Sequence, residues 1–372
     1  MRALVMAGLC IGAVARVNAQ TVDSAAFLIR LGRDTTAIER YVRTGNQLVV
    51  EAVSRSPATV LHRMVYTFDA RGRVTTSEYT QRRPGESNPL AQTRIQFQGD
   101  SAVIETRQGT AAARTQRIAA GDAIPIAGPF YTPYELAVMR ALGGGGSATL
   151  LSGTNTPAIR VQRVGQDSIV LNNQFDEPMR AHIDARGRLL HLRTPAYTTV
   201  QRLRWVDIDR FGSDFAARDA SGRALGNLSP RVTVRRRVGT ANVWLDYGSP
   251  RMRGRPVWGG LVPYGRVWRL GANDAAHIAT DRPLQIGSVT VQPGTYTLFL
   301  LPNSASDWQL VVNRATGMSG LDHDPAQDVG RVPLTVTTNA NVTEAFLIDV
   351  TPAGVLTIAW DRMSASVPIQ VR

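Results

Sequence analysis

Five arginines, Arg251, Arg253, Arg255, Arg266 and Arg269, fall between Tyr247 and Asn273 in the stretch YGSPRMRGRPVWGGLVPYGRVWRLGAN, together with two tryptophans, six glycines, three prolines and no acid. Guanidinium forks bind carboxylates or phosphates through paired hydrogen bonds, and aromatic faces stack on sugar rings or cations. Arg251, Arg253, Arg255, Trp258, Tyr264, Trp268, Arg269 and Asn273 therefore form a candidate binding set for a small polar or anionic ligand. The same residues have a structural alternative. The arginines can pair with Asp274, Asp281 and the acidic C-terminal half while the tryptophans fill a core.

Two weaker constellations stand nearby. His277 with Asp274 has the types needed for general acid/base work, which requires a histidine held near a carboxylate; a lone polar histidine on a strand is the alternative. Asp322, Asp324 and Asp328 crowd oxygen ligands as a calcium loop does, without the glycine and distal glutamate of the helix-loop-helix motif, and Asx-type turns explain them equally. His62, His182 and His191 are scattered, and no HExxH string, nucleophile elbow, P-loop or dinucleotide fingerprint occurs. No cofactor is expected.

These residues must be carried by sheets. Val60 to Phe68 is rich in β-formers, and Arg94 to Gln98 and Met179 to Asp184 alternate apolar with polar side chains. FDARGRV at Phe68 and IDARGRL at Ile183 are similar hairpin turns, each with an aspartate to cap the turn and a glycine for positive φ. Between them, Pro133 to Leu142 predicts a helix, with Thr132 as N-cap and four glycines from Gly143 ending it. Beyond Arg231 short strands resume, including Asn242 to Tyr247, two segments flanking Gln292-Pro293-Gly294, and two flanking Thr351 to Gly354. The fold expected is all-β. An N-terminal curved antiparallel, half-barrel-like sheet with one inserted helix spans 20–210, a linker spans 211–228, and a β-sandwich or jelly-roll-like domain spans 229–372.

Composition limits the partners. All 42 cationic side chains are arginine, so the formal charge of +13 reads as codon bias rather than a phosphate-binding surface, and nucleic acid is not an expected partner. Residues 1–19 have the form of a secretory signal, with Arg2, an apolar core from Leu4 to Ala15, and Val17-Asn18-Ala19 for cleavage. The expectation is a periplasmic or extracellular protein. The one cysteine, Cys10, lies in the leader, so no disulfide is expected, and no later apolar run is long enough to span a bilayer.

Residues 229 to 372 also resemble a known family. SPRVTVRRRVG, DYGSPRMRGRPVWGGLVPYGRVWRLGAND, PGTYTLFLLP, VVNRATG, DVGRVPLTV and IAWDRMSASVPIQV are similar to an exported bacterial family catalogued as a domain of unknown function, number 2911. The resemblance implies an all-β exported domain and supplies no catalytic residues. Ser319 and His323 stand where the family pattern has a tryptophan and then a tyrosine. The functional expectation is non-catalytic binding of a small polar or anionic ligand or of an envelope component. A hydrolase or isomerase acting on a polar substrate, and a structural scaffold, remain as alternatives.

Overall fold

The computed structural model describes residues 22–172, 178–317, 319 and 322–372; the expected leader, residues 1–19, lies outside them. Fifteen strands form one curved sheet that does not close into a barrel. The strands β1 (Val22–Leu31), β2 (Asp34–Thr44), β3 (Gln47–Ser54), β4 (Val60–Phe68), β5 (Val74–Arg82), β6 (Ala91–Gln98), β7 (Ser101–Gln108) and β8 (Arg114–Ala119) meander outward to one edge. The chain then crosses through β9 (Ile124–Pro125) and helix α1 (Thr132–Gly143). It returns by β10 (Ser147–Leu151), β11 (Ala158–Arg163), β12 (Ser168–Asn172), β13 (Met179–Ile183), β14 (Leu189–Arg193) and β15 (Thr198–Leu203), which pairs with β1 at the centre.

The two similar turns are built alike. Asp69 accepts the amides of Arg71 and Arg73 and the Arg73 Nε, and Asp184 accepts the amides of Arg186 and Arg188 and the Arg188 Nε. Gly72 and Gly187 take φ of 76° and 79°, the left-handed backbone that such a turn needs.

Helix α1 covers the concave face of the sheet. Its small buried residues Ala137, Val138 and Ala141 let it lie close to Phe27, Val50, Met64 and Leu192. Burying one such phenylalanine or leucine contributes about 1.5–3 kcal/mol. Glycines end the helix as expected, with Gly144 at its C-cap. Its start differs from expectation: the N-cap is Tyr131, and Thr132 instead donates to a carboxylate of the sheet, Glu39.

A second helix, α2 (Ile208–Ala220), packs on the opposite face, against Ala26, Ile38 and Val53. It occupies the first half of the expected linker 211–228, which is thus a connector only in its second half. Ile208, Gly212 and Phe215 recur at helical spacing on the buried side. Gly212 lets the helix approach Leu61 closely, since a Cβ there would lie 2.9 Å from that side chain.

The second sheet has nine strands: β16 (Arg231–Val238), β17 (Ala241–Gly248), β18 (Ala276–Thr280), β19 (Leu284–Ile286), β20 (Val289–Val291), β21 (Gly294–Pro302), β22 (Trp308–Asn313), β23 (Asp328–Val350) and β24 (Val355–Val371). The long pair β23–β24 carries register shifts between Thr338 and Leu347, and the sheet folds on itself in the manner of a sandwich. The hairpin β19–β20 then lies against β23, so a Cβ on Gly330 would meet Val289. Segments 289–291 and 294–302, which flank Gln292-Pro293, do not pair with each other as a hairpin would. β20 pairs with β19, and β21 pairs with β18 and β22.

The two sheets meet where the β1–β2 and β14–β15 turns face the loop after β17. Arg33 donates its amide to the Arg253 carbonyl at 2.8 Å, and Arg255 donates from Nη1 to the Ala196 carbonyl at 2.9 Å. Gly32 has φ of 58°, and a Cβ on it would overlap the Arg253 carbonyl oxygen. Gly32→Ala should therefore loosen this junction and destabilise the protein by roughly 1–3 kcal/mol through backbone strain. Limited proteolysis between residues 221 and 230 and the melting temperature check it; wild-type values for both would mean that the contact carries no load.

Candidate functional site

The arginine-rich stretch is drawn into three separate environments. Arg253 is 4% exposed and has φ of 52°; its amide donates to Glu344 at 3.0 Å and its guanidinium pairs with Asp34 of the first sheet. Arg255, 8% exposed, donates to three carbonyls, those of Met252, Ala196 and Arg251. These two side chains join the sheets. The exposed Arg251 bridges through its backbone to Ala345.

Trp258 and Trp268 belong to an aromatic core. Trp258 lies 4.1 Å from Trp308 between ring centroids, and Trp268 stacks on Trp360 at 5.9 Å. The indole of Trp258 donates to the Trp360 carbonyl, so its polar edge is occupied as well. Tyr264 is the exposed aromatic of the set and packs beside Gly259.

The third environment lies at the opening of β18. Arg269 donates to the Asn273 carbonyl, and Asn273 takes φ of 64° in the loop before β18, so of Asn273, Asp274 and His277 only the histidine lies on the strand. His277 Nδ1 is 3.2 Å from an Arg231 guanidinium that is itself bound twice by Asp246, and the Gly317 amide points at Nε2. Burial, followed by the charge of Arg231, lowers the histidine's pKa. The exposed Asp274 offers its backbone carbonyl to Arg231. The pair therefore lacks the histidine–carboxylate contact that acid/base work requires.

The acidic loop is used for turns and pairing. Asp324 accepts the Ala326 amide at the start of a short helical turn, Asp322 accepts from Ser319, and Asp328 binds Asn313, His323 and Arg331. Among the described residues no group of three or more His, Cys, Asp or Glu is placed to hold a metal.

Three buried networks in the first sheet escaped the sequence reading. Glu39 accepts the Tyr131 amide at 2.6 Å, the Thr132 amide at 2.8 Å and the Thr132 hydroxyl, so the sheet caps α1. Burial pushes this carboxyl up to about 7. One helical turn on, Glu135 accepts from Arg202 at 2.6 Å, from the Leu189 amide at 2.7 Å and from the Tyr41 hydroxyl at 2.9 Å. His62 bridges Ser54 and Tyr79 with 2.8 Å contacts to both, and burial lowers it to about 4. The only signal in the sequence was a polar residue inside an apolar alternation, as with Glu39 between Ala37 and Tyr41 on one face of β2.

An open groove of about 510 Å³ lies where β1, β14 and β15 reach one rim of the first sheet. Ser24, Arg188, Leu190, His191, Gln201 and Arg204 line it, and Arg202 links it to Glu135 inside. Arg188 is held by Asp184 at 2.7 Å, whereas among the described residues the exposed Arg204 has no ion pair. None of the arginine-rich stretch reaches this groove.

Residues 229–369, the region of the second sheet, match the family model described as "Protein of unknown function (DUF2911)"; no family model matches the first sheet. No curated protein matches the chain.

Proposed function

We propose that the chain is an exported, non-catalytic binding protein of the cell envelope, and that the rim groove of its first sheet receives a polar or anionic envelope component. The observation that carries this reading is Arg204, which among the described residues has no ion pair and which lines, with His191 and Gln201, a groove large enough for a small ligand. The domain of unknown function then serves as a brace, because Arg253 and Arg255 are engaged in holding it to the first sheet. Export rests on the form of residues 1–19. The hydrolase or isomerase alternative would need His277 beside a free carboxylate in a groove, and Arg231 occupies that place.

A thermal-shift screen of the chain from Gln20 onward, against sugars, organic phosphates and fatty acids, tests the site. A ligand at a hundred times its dissociation constant adds about 2.7 kcal/mol. That stabilisation should disappear in Arg204→Ala and persist in Tyr264→Ala. The reverse pattern would move the site to the arginine-rich stretch, and no shift with any compound would leave the scaffold alternative.

A further inference from the structure

We infer that the envelope component is the anionic surface of a lipid bilayer, on which this rim of the first sheet docks; the inference rests on the reading of the rim as the binding site.

Five of the eight large apolar side chains left exposed among the described residues gather at this rim: Val22, Met139, Val164, Leu190 and Trp205. Strand register places them together. Val22 pairs with Thr44 at the end of β2, and Leu190 lines the groove. Trp205, 52% exposed, follows directly after Arg204. Val164 opens the turn whose Asp167 carbonyl accepts the Ile183 amide, and Met139 of α1 lies beside Gly187. They stand on separate elements, Val22 on β1, Met139 on α1, Leu190 on β14, and Val164 and Trp205 in the loops after β11 and β15. A protein partner would find no contiguous surface there to cover, whereas a bilayer interface accepts isolated apolar tips between cationic heads.

The charges at the rim suit an anionic surface. The exposed Arg71, Arg186 and Arg204 form no ion pairs among the described residues. The rim's acids are mostly engaged. Asp69 and Asp184 are held by Arg73 and Arg188, Asp23 lies 3.8 Å from Arg188, Asp122 lies 3.4 Å from Arg140, and Asp167 faces Ser168 and His182. Among the described residues, Asp100 and the exposed Asp209 just beyond Trp205 are rim acids without a side-chain partner. The Trp205 indole is steadied on one face by the Arg40 guanidinium, 4.5 Å from its ring centroid, and stays half exposed next to Arg204; an indole beside arginine heads is the combination that sits at headgroup level.

Flotation of the chain from Gln20 onward tests the inference, with vesicles of phosphatidylcholine alone and vesicles containing about one third phosphatidylglycerol. Binding is expected only to the anionic vesicles, falling as salt rises. Each rim arginine near such a surface is worth about five-fold in partitioning, so Arg186→Glu/Arg204→Glu should lose at least about 25-fold. Trp205→Ser/Leu190→Ser should also bind more weakly, and Tyr264→Ser should bind as wild type. Unchanged melting temperatures would show that the rim variants are folded. Wild-type binding by the rim variants, or no binding to anionic vesicles, overturns the inference. If soluble glycerol phosphate still gives an Arg204-dependent thermal shift in that case, the groove stands as a small-anion site and only the lipid assignment falls; if it does not, both readings fall.

Discussion

Arg202→Ala should destabilise the protein by about 3–5 kcal/mol, the range for removing one partner of a buried ion pair. The guanidinium donates from Nη1 to Glu135 at 2.6 Å and to the Leu189 carbonyl at 3.3 Å, and from Nη2 to the Tyr41 hydroxyl at 2.7 Å. It also lies over the rings of Phe27 and Tyr41, 5.6 and 5.7 Å from their centroids, so the change removes packing as well as charge. Glu135, buried under α1, is left with a carboxyl that burial already holds above its ordinary range despite Arg202. Without the cation that carboxyl rises further and takes up a proton, so the deficit should be larger at alkaline than at acidic pH.

Chemical denaturation followed by far-ultraviolet dichroism measures the loss. Tryptophan fluorescence would report mainly on the second sheet, because only Trp205 of the six tryptophans lies before residue 229. Arg202→Met keeps much of the stem volume and should still be destabilising. Arg202→Met/Glu135→Gln should recover more than half of the loss, since glutamine can still accept from Leu189 or Tyr41 without burying a charge. A loss below about 1 kcal/mol for Arg202→Ala would show that α1 does not depend on this pair.

The parts of this fold that could be read from the sequence are those made by local interactions. The turns at Asp69 and Asp184 were legible because aspartate and glycine act on amides two and four residues away. Helix α1 was legible for a similar reason, with its proline, Glu135, Arg140 and terminal glycines all within the segment. The arginine-rich stretch was legible as a shaped loop. Its residue types could not distinguish a guanidinium that grips a ligand from one that grips Asp34, which lies 219 residues away in the chain. The same limit applies to Glu39, whose partners at Tyr131 and Thr132 are set by topology. At Gln292-Pro293-Gly294 the sequence shows a bend between two strands and nothing of which strands each joins, because a turn fixes where a chain bends and the sheet decides the pairing.

Glu39 leads to a pH prediction of comparable size. Its carboxyl replaces the missing side-chain cap at Tyr131, and those hydrogen bonds favour the ionised form, yet burial outweighs them and neighbouring Glu135 adds to the upward shift. The ordinary value of 4.5 rises to about 7. A carboxyl raised in the folded state contributes stability that is fully present below pH 4.5 and is lost as pH rises through about 7. The contribution is about 3 kcal/mol at 1.36 kcal/mol per pH unit.

His62 opposes it. Its pKa falls from 6.5 to about 4, so its contribution is present above 6.5 and is lost as pH falls toward 4. The wild-type curve should therefore be flatter than either group alone would make it, and the informative quantity is the difference from Glu39→Gln. This variant keeps one acceptor and cannot ionise. It should lose stability relative to wild type at pH 5, where wild-type Glu39 is mostly protonated, and lose less or even gain at pH 8, where wild-type Glu39 is a buried anion. Parallel denaturation midpoints for the two proteins across that interval would mean that Glu39 does not titrate there. Amide exchange at Tyr131 and Thr132 adds a local check. Opening of α1 should become easier in Glu39→Ala, where two backbone donors and a hydroxyl lose their acceptor at about 1–3 kcal/mol each.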